Sequence, residues 1–366
     1  MRPIKVAVVG TNIGCTLHVR ALKAAGFEVA ALVGRNREVT AARAAHFGIP
    51  RSLGSIEAVA DSDVEAVVIA TPPATHHEFV MKALAAGKHV LCEKPFSLDI
   101  AQAREMRTAA EAAGVANMVT HEFRWFAQNA LMRQLVTSGR IGSPIQMTAL
   151  FDHTLCAPAT LDVPAWWRTH IGGGGWLRNY NAHGIDLIRY IAGDFAAVCG
   201  HVHPGADRDM TSDDSYAAAF VLRSGVQGVM AGSCRAWDAF ASTRIIGSEA
   251  TLNQTYGGVS LIDAKGEQAP ELPAELAEAL RGGGPAVTGP QEKLPIMDDT
   301  QYVRTHSSDY GFAEQVGLCS AFASWIRDPG YRNPAIATFA DGVAHVEVIA
   351  AVERSEAESR WIELAS

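Results

Sequence analysis

The chain has 366 residues, enough for two domains, and hydrophobic residues make up 48% of it, ample material for sizeable cores. Lysine and arginine number 31 against 39 acids, a formal charge of −8 with no basic run, which argues against nucleic-acid partners and polybasic membrane anchoring. The six cysteines (Cys15, Cys92, Cys156, Cys199, Cys234, Cys319) form no CxxC pair, so reduced thiols, a cytoplasmic location and no metal site are expected, with neither a signal-peptide pattern nor a membrane span.

Ile4 to Gly10 is a β-rich run closed by glycine, Leu17 to Ala25 reads as a helix, and Phe27 to Val33 as a second strand. This is the βαβ spacing of a mononucleotide-binding half. The turn reads Gly10-Thr11-Asn12-Ile13-Gly14-Cys15. Against G-x-G-x-x-G only the first glycine is in place, with Asn12 at the second position and Cys15 at the third. Asn is the non-glycine residue most tolerant of positive φ, and a small cysteine can pack a helix on a strand. Gly10, Asn12 and Ile13 are therefore candidate phosphate contacts, although a plain βα turn reads the same way. After the second strand comes Gly34-Arg35-Asn36-Arg37 in place of the acid that grips ribose hydroxyls. Arg35 suits a 2′-phosphate, which favours NADP(H) over NAD(H).

A helix (Glu38 to Phe47), a short helix (Ile56 to Ala60) and a buried strand (Ala66 to Ala70) follow. The strand ends in Thr71-Pro72-Pro73-Ala74-Thr75-His76, with Thr75 capping a helix from His77 to Ala86. His89 to Cys92 is another buried run, ending abruptly in Glu93-Lys94-Pro95. Ligands bind beyond the carboxyl ends of such strands, and Pro95 restricts Lys94 and permits a cis peptide. Asp99 to Ala113 reads as a helix and Ala116 to Thr120 as a strand. From His121 the character changes: helix Asn129 to Ser138, then alternating β segments at Ile145 to Asp152, Tyr216 to Arg223, Gly228 to Ser233 and Thr243 to Ile246. These suit a mixed or antiparallel sheet. Residues 264–310 read as helix and loop cover, and Phe312 to Arg327 and Thr338 to Glu356 as long helices.

The order Gly10…His18, Ala70-Thr71-Pro72…His76, Gly87-Lys88-His89-Val90…Glu93-Lys94-Pro95, then Gly172 to Gly175, Trp176-Leu177…His183-Gly184-Ile185-Asp186 resembles the Gfo/Idh/MocA oxidoreductases over nearly the whole chain. The resemblance implies an α/β protein: a Rossmann doubly wound parallel sheet over residues 1–121, and over 122–366 an α/β substrate domain with an open, mostly antiparallel sheet that often forms a subunit interface. It implies a dehydrogenase or reductase passing a hydride between NAD(P) and a secondary alcohol or ketone of a sugar, cyclitol or related ring, in a homodimer or homotetramer. Cofactor contacts would come from Gly10, Asn12, Ile13, Arg35, Thr71, Pro72, His76, Glu93, Lys94, Trp167 and Arg168. The lysine of the Glu-Lys-Pro motif, Lys94, would lie near the reacting oxygen, and the family's D-x-x-x-H pair falls on Asn179 and His183.

Alcohol oxidation needs a base for the hydroxyl proton and a cation for the developing alkoxide; His183 can be the first and Lys94 the second. Asn179 sits where the family has Asp, four residues or one helical turn before His183. It can hold a substrate hydroxyl but exchanges no proton at pH 7. Glu122, Arg124 and Trp166 are candidate substrate contacts, as is His121, and the glycines at 172–175 would let backbone approach a ligand. His18, His153 and His170 read as structural or stay unassigned. A lyase with no net redox change and a non-catalytic nucleotide- or sugar-sensing regulator are the rival readings.

Overall fold

Strands covered by helices on both faces must be apolar throughout, and Val6 to Val8, Val67 to Ile69 and Val90 to Cys92 have no exposed surface. In the computed structural model, which describes residues 2–60, 62–157, 163–284 and 311–365, these runs lie in a parallel sheet. Its strands are β1 (Lys5–Val9), β2 (Glu28–Val33), β3 (Arg51–Leu53), β4 (Ala66–Ile69), β5 (His89–Cys92) and β6 (Asn117–Val119). The order is β3-β2-β1-β4-β5-β6, so the topology reverses between β1 and β4, where open sheets of this kind form a ligand crevice. A π-helical turn Gly14–Val19 runs into α1 (Arg20–Ala24), and α2 (Arg37–His46), α3 (Glu57–Ala60), α4 (His76–Ala85) and α5 (Ile100–Ala113) supply the later crossovers.

Side-chain oxygens start two of these helices: Asn36 accepts from Val39 N at 3.1 Å and Asp99 from Gln102 N at 2.9 Å, each satisfying an otherwise orphan amide. Thr75 does not cap α4 as its position suggested. Its hydroxyl stands 2.7 Å from Thr71 Oγ1 and 2.9 Å from the Pro72 carbonyl instead.

The chain divides into two compact units, neither of them continuous: Met1–Trp125 with Glu278–Val343, and Phe126–Ala277 with Ala344–Ser366. A single boundary after residue 121 misses this, because the chain returns to the first unit through a late helix. In the second unit lie α6 (Ala127–Thr137), β7 (Pro144–Asp152), α7 (Ala182–Ala192), β8 (Phe195–Pro204), β9 (Asp213–Leu222), β10 (Gln227–Ser233), β11 (Phe240–Gly247), β12 (Thr251–Thr255), β13 (Gly258–Asp263) and β14 (Gly266–Gln268), and α8 (Ala274–Ala279) spans the return to the first. After α9 (Phe312–Arg327), α10 (Phe339–Glu358) passes from the first unit into the second and leads to β15 (Ile362–Glu363). Of the cover expected over 264–310, residues 285–310 lie outside the described residues.

The returning helix α9 sits in the first core, where Phe312, Val316 and Phe322 join Leu22, Val19 and Phe27, and Phe322 stacks on Phe27 at 6.2 Å. The same unit is closed by Arg124, whose guanidinium bonds Asp341 at 2.9 Å and the Ile336 carbonyl at 3.0 Å. The sequence marked Arg124 as a substrate contact; the structure commits it to tying the turn after β6 to the start of α10.

The second sheet runs β14-β13-β12-β11-β7-β10-β9-β8-β15 and is antiparallel except where β10 pairs with β7. Alternation sorts its faces: Met147, Tyr216, Phe220, Met230, Ile245 and Leu252 are buried, on the side where α6 and α7 pack. Val229, Ala217 and Arg244 point to the other, open face, where Val229 is 47% exposed.

Arg124→Ala leaves Asp341 without its buried cation, so thermal or denaturant unfolding should show a loss of about 3 kcal/mol, whereas an effect below about 0.5 kcal/mol would remove the clamp from the account.

Candidate functional site

Parallel register aligns the strand ends of the first unit. Val33, Val9, Ile69, Cys92 and Val119 are partners in one row across β2, β1, β4, β5 and β6. The residues that follow therefore form a second row along the carboxyl edge: Gly34 and Arg35, Gly10 and Thr11, Thr71, Lys94, and His121 with Glu122. Adjacent members stand about 5 Å apart, the strand spacing. Five separate sequence motifs meet on this edge because the strands carrying them end in register.

Gly10 is at φ +120°, and a Cβ there would stand 2.1 Å from the Ala70 carbonyl oxygen. Glycine at this position lets β1 and β4 approach and leaves the turn's backbone bare. The turn opens into a cavity of about 550 Å³ lined by Gly10, Thr11, Asn12, Arg35, Thr71 and Pro72 among others, within the size range of ligand sites. The gap left by the missing second glycine is filled differently than expected. Asn12 is not among the positive-φ residues; its side-chain oxygen accepts from Arg43 Nη1 at 2.7 Å, and the same guanidinium bonds the Thr11 carbonyl. Arg43 was missed by sequence reasoning, though Thr40, Arg43 and Ala44 form the buried face of α2, and a lone arginine on such a face signals a partner. Cys15 packs at the third glycine position, fully buried, and burial pushes its thiol up to about 12.

At the β5 end, the peptide between Lys94 and Pro95 is cis, and both Glu93 and Lys94 are buried. Glu93 Oε1 lies 2.7 Å from His18 Nε2, and Oε2 accepts from Lys94 N at 3.1 Å. Burial alone would raise this carboxyl; the His18 bond, with the charges of His18 and Lys94, outweighs it and holds Glu93 near 2. Glu93 thus positions the Lys94 backbone. His18, read as structural, is the residue that keeps it charged, and Gln315 of α9 reaches the other ring nitrogen at 3.3 Å.

His76, expected among the cofactor contacts, is wholly buried; Nδ1 lies 3.0 Å from the Pro95 carbonyl and Nε2 2.8 Å from that of Thr71. Burial lowers its pKa. Its place is between the ends of β4 and β5, where it fixes the loops carrying Thr71 and Lys94.

In the second unit, Trp166, Trp167 and Arg168 form a 3-10 turn (Ala165–Arg168). Trp167 is fully buried, so its indole packs the unit's interior, while Trp166 and Arg168 are half-buried. The run 172–175 is tight against its own chain: a Cβ on Gly174 would lie 1.9 Å from the Trp167 carbonyl oxygen, and one on Gly175, at φ +105°, 2.2 Å from Asp213 Oδ1. The close approach assigned to a ligand is made by Trp167 and Asp213. The Asp213 carboxylate accepts from Leu177 N at 2.7 Å, and burial pushes it up to about 7.

That bond starts a π-helical turn, Trp176–Tyr180, which carries Asn179 and ends before α7, where His183 sits in the first turn. The single α-helical turn expected between the two is thus a junction of two helix types. Both residues are buried. Neither amide atom of Asn179 has a hydrogen-bond partner among the described residues, an arrangement that costs free energy unless a ligand supplies the partner. Tyr180 stands edge-on to the His183 ring at 6.2 Å and stacks on Trp176 at 4.6 Å.

Among the described residues no group of three or more His, Cys, Asp or Glu side chains can hold a metal ion, and no helix is long and apolar enough to cross a membrane.

A family model described as an oxidoreductase family with an NAD-binding Rossmann fold matches residues 4–121, and one described as the GFO/IDH/MocA C-terminal domain matches residues 129–253. The chain is 32% identical over 321 residues to a 1,5-anhydro-D-fructose reductase of Ensifer adhaerens, covering 82% of this chain and 95% of that one. An oxidoreductase domain protein from Kribbella flavida superposes with a TM-score of 0.82 at 26% identity, over 100% of both chains. A levoglucosan dehydrogenase solved with NADH and levoglucosan has the same fold, with a TM-score of 0.82 at 21% identity over 100% of both chains.

Gly10→Ala should press a methyl group into the Ala70 carbonyl and force the turn to move, lowering both the melting temperature and, by about tenfold or more, the affinity for a dinucleotide. Unchanged binding in a fluorescence titration would show that the turn is not the phosphate cradle.

Proposed function

The chain belongs to the Gfo/Idh/MocA oxidoreductase family, and on that premise we propose that it moves a hydride between a nicotinamide cofactor and a CH–OH or C=O carbon of a sugar, cyclitol or related small ring compound. The observation that carries this reading is the single row of motif residues along the carboxyl edge of the parallel sheet, running from Arg35 past Gly10 to Lys94. The residues fit a dinucleotide: Gly10 leaves a cradle that a Cβ would fill, and the cavity beside it lies at the crossover point of the sheet. Gly10, Asn12 and Ile13 would face the pyrophosphate at the start of the helix, with Thr71 and Pro72 along its flank and His76 and Glu93 fixing the loops behind. Trp167 and Arg168, cofactor contacts by the family resemblance, lie in the second unit, where the indole is packed in the interior.

The nicotinamide, when bound, supplies or accepts the hydride. Lys94 stabilises negative charge developing on the reacting oxygen. His183 takes the hydroxyl proton in oxidation and returns it in reduction, the task for which imidazole is suited near neutrality. Asn179, with two unsatisfied amide atoms, holds a substrate hydroxyl. Trp166 and Glu122 line the substrate, and Arg124 acts through the turn it anchors. Lys94→Ala and His183→Ala should each lower kcat by about 10²-fold or more; hydride transfer surviving both changes, followed by nicotinamide absorbance with a panel of polyols, would sink the reading.

We propose NADP(H) as the preferred cofactor. Arg35 is exposed at the cavity rim, and the two carboxylates sharing that rim, Glu57 and Glu78, both pair with Lys82 (2.6 Å for Glu57), which offsets one of their two charges. Separate fluorescence titrations with NADPH and NADH should show tighter NADPH binding, and Arg35→Ala should reduce that preference by about tenfold. Tighter NADH binding to the native chain would reverse the assignment. The open face of the second sheet, with Val229, Phe240 and Ile262 exposed, supports a homodimer or homotetramer, and six free thiols suit a reducing cytoplasm.

A further inference from the structure

Strands β5 and β6 end side by side, Cys92 opposite Val119, and Thr120 N continues the ladder to the Cys92 carbonyl at 2.9 Å. Lys94 and Glu122 therefore emerge from neighbouring strands on the same edge. Glu122 opens the 3-10 turn Glu122–Trp125, half-buried between that edge and α9. The charged groups facing it are Glu93 and Lys94 from the end of β5 and Glu314 from α9; on its own stretch, Arg124 is committed to Asp341 and His121 is buried. Burial, the ionised Glu93 and the Glu314 carboxyl all oppose a further negative charge, and the Lys94 ammonium offsets them only in part, so the Glu122 carboxyl is pushed up to about 8. Its protonated form is therefore favoured well above the ordinary carboxylate range.

The crevice between β1 and β4 takes the pyrophosphate in the reading above, and Arg35 beyond β2 takes the adenosine end. The nicotinamide end then lies over β4, β5 and β6, at Lys94 and Glu122. We propose that Glu122 discriminates between the two redox states of that ring, remaining a neutral acid beside the reduced cofactor and releasing its proton to solvent when the cationic, oxidised ring is seated. This rests on the cofactor assignment under the proposed function and adds the residue that reads the cofactor's charge.

The charge balance is simple. Glu122 goes from carboxylic acid to carboxylate, one proton enters solvent, and no bond to the cofactor forms. An opposite charge within about 4–6 Å lowers a carboxyl by about one to three pKa units, which brings Glu122 from about 8 into the range of about 5–7 and ionises half or more of it at pH 7. The reduced ring is uncharged and gives no such pull. By linkage, affinity for the oxidised cofactor rises with pH, by up to about tenfold per unit, until Glu122 ionises in the free protein near 8. Affinity for the reduced cofactor gains nothing through this group.

The test is proton release on binding, measured with a pH indicator in weakly buffered solution at pH 7 using the native chain and no substrate. Each redox form of NADP and of NAD is added to saturation, with occupancy followed in parallel by calorimetry or fluorescence. The oxidised and reduced forms share their phosphates, so the difference between them isolates the ring. The native chain should release roughly half to one more proton per site with the oxidised form than with the reduced form, and Glu122→Gln should abolish that difference. Equal release by the two forms in the native chain would overturn the proposal without recourse to a variant, and so would a difference that survives Glu122→Gln. Failure of either form to bind would instead remove the cofactor assignment, and this inference with it.

Discussion

The contact on which the first unit depends is the 2.7 Å bond between His18 Nε2 and Glu93 Oε1. Both groups are buried, and removing one partner of such a pair costs about 3–5 kcal/mol because it strands the other. The bond joins three elements: the helix that follows the Gly10 turn, the end of β5, and α9, whose Gln315 reaches the far side of the imidazole. It also explains why the first unit borrows residues 278–343 from late in the chain. Without α9 the imidazole would lose its backing, and Glu93, which accepts from Lys94 N, would no longer fix the start of the cis Lys94–Pro95 step. Because Glu93 is held below its ordinary value, its contribution to stability is complete above about pH 4.5 and fades as pH falls toward 2.

The second unit solves the same problem with other residues. Asp213 is a buried acid that accepts a backbone N–H, here from Leu177, as Glu93 does from Lys94. In both units a π-helical turn stands close by: Gly14–Val19 carries His18, and Trp176–Tyr180 carries Asn179. Such turns are uncommon and concentrate at functional sites. Here each carries a buried polar side chain.

Much of this was legible from the residues alone. The crossovers of the first sheet follow from apolar runs punctuated by Gly10, Thr71 and Lys94, because strands buried on both faces leave an unmistakable pattern. The helix Phe312–Arg327 was found with the same ends. What escaped notice were β3, which has three residues, the edge strand β14, whose residues are all exposed, and in the second sheet also β8, β12, β13 and β15; β3 and β14 have no apolar rhythm to read. Also hidden were long-range polar partners. Nothing local connects Gln315 to His18, Arg43 to Asn12 or Arg124 to Asp341, since such pairs are made by the fold and leave no periodicity. The glycines at 172–175 announced a close approach correctly but not its partner, which proved to be Trp167 and Asp213.

The account stands or falls on where a dinucleotide lies along the row from Arg35 to Lys94. A crystal structure of the chain with NADPH tests it most directly. The account predicts the pyrophosphate against Gly10 to Ile13 at the crossover of β1 and β4, the 2′-phosphate at Arg35, and the nicotinamide ring beside Lys94 and Glu122. A cofactor bound elsewhere, or one bound at the Gly10 turn with its ring directed away from Lys94, would contradict it.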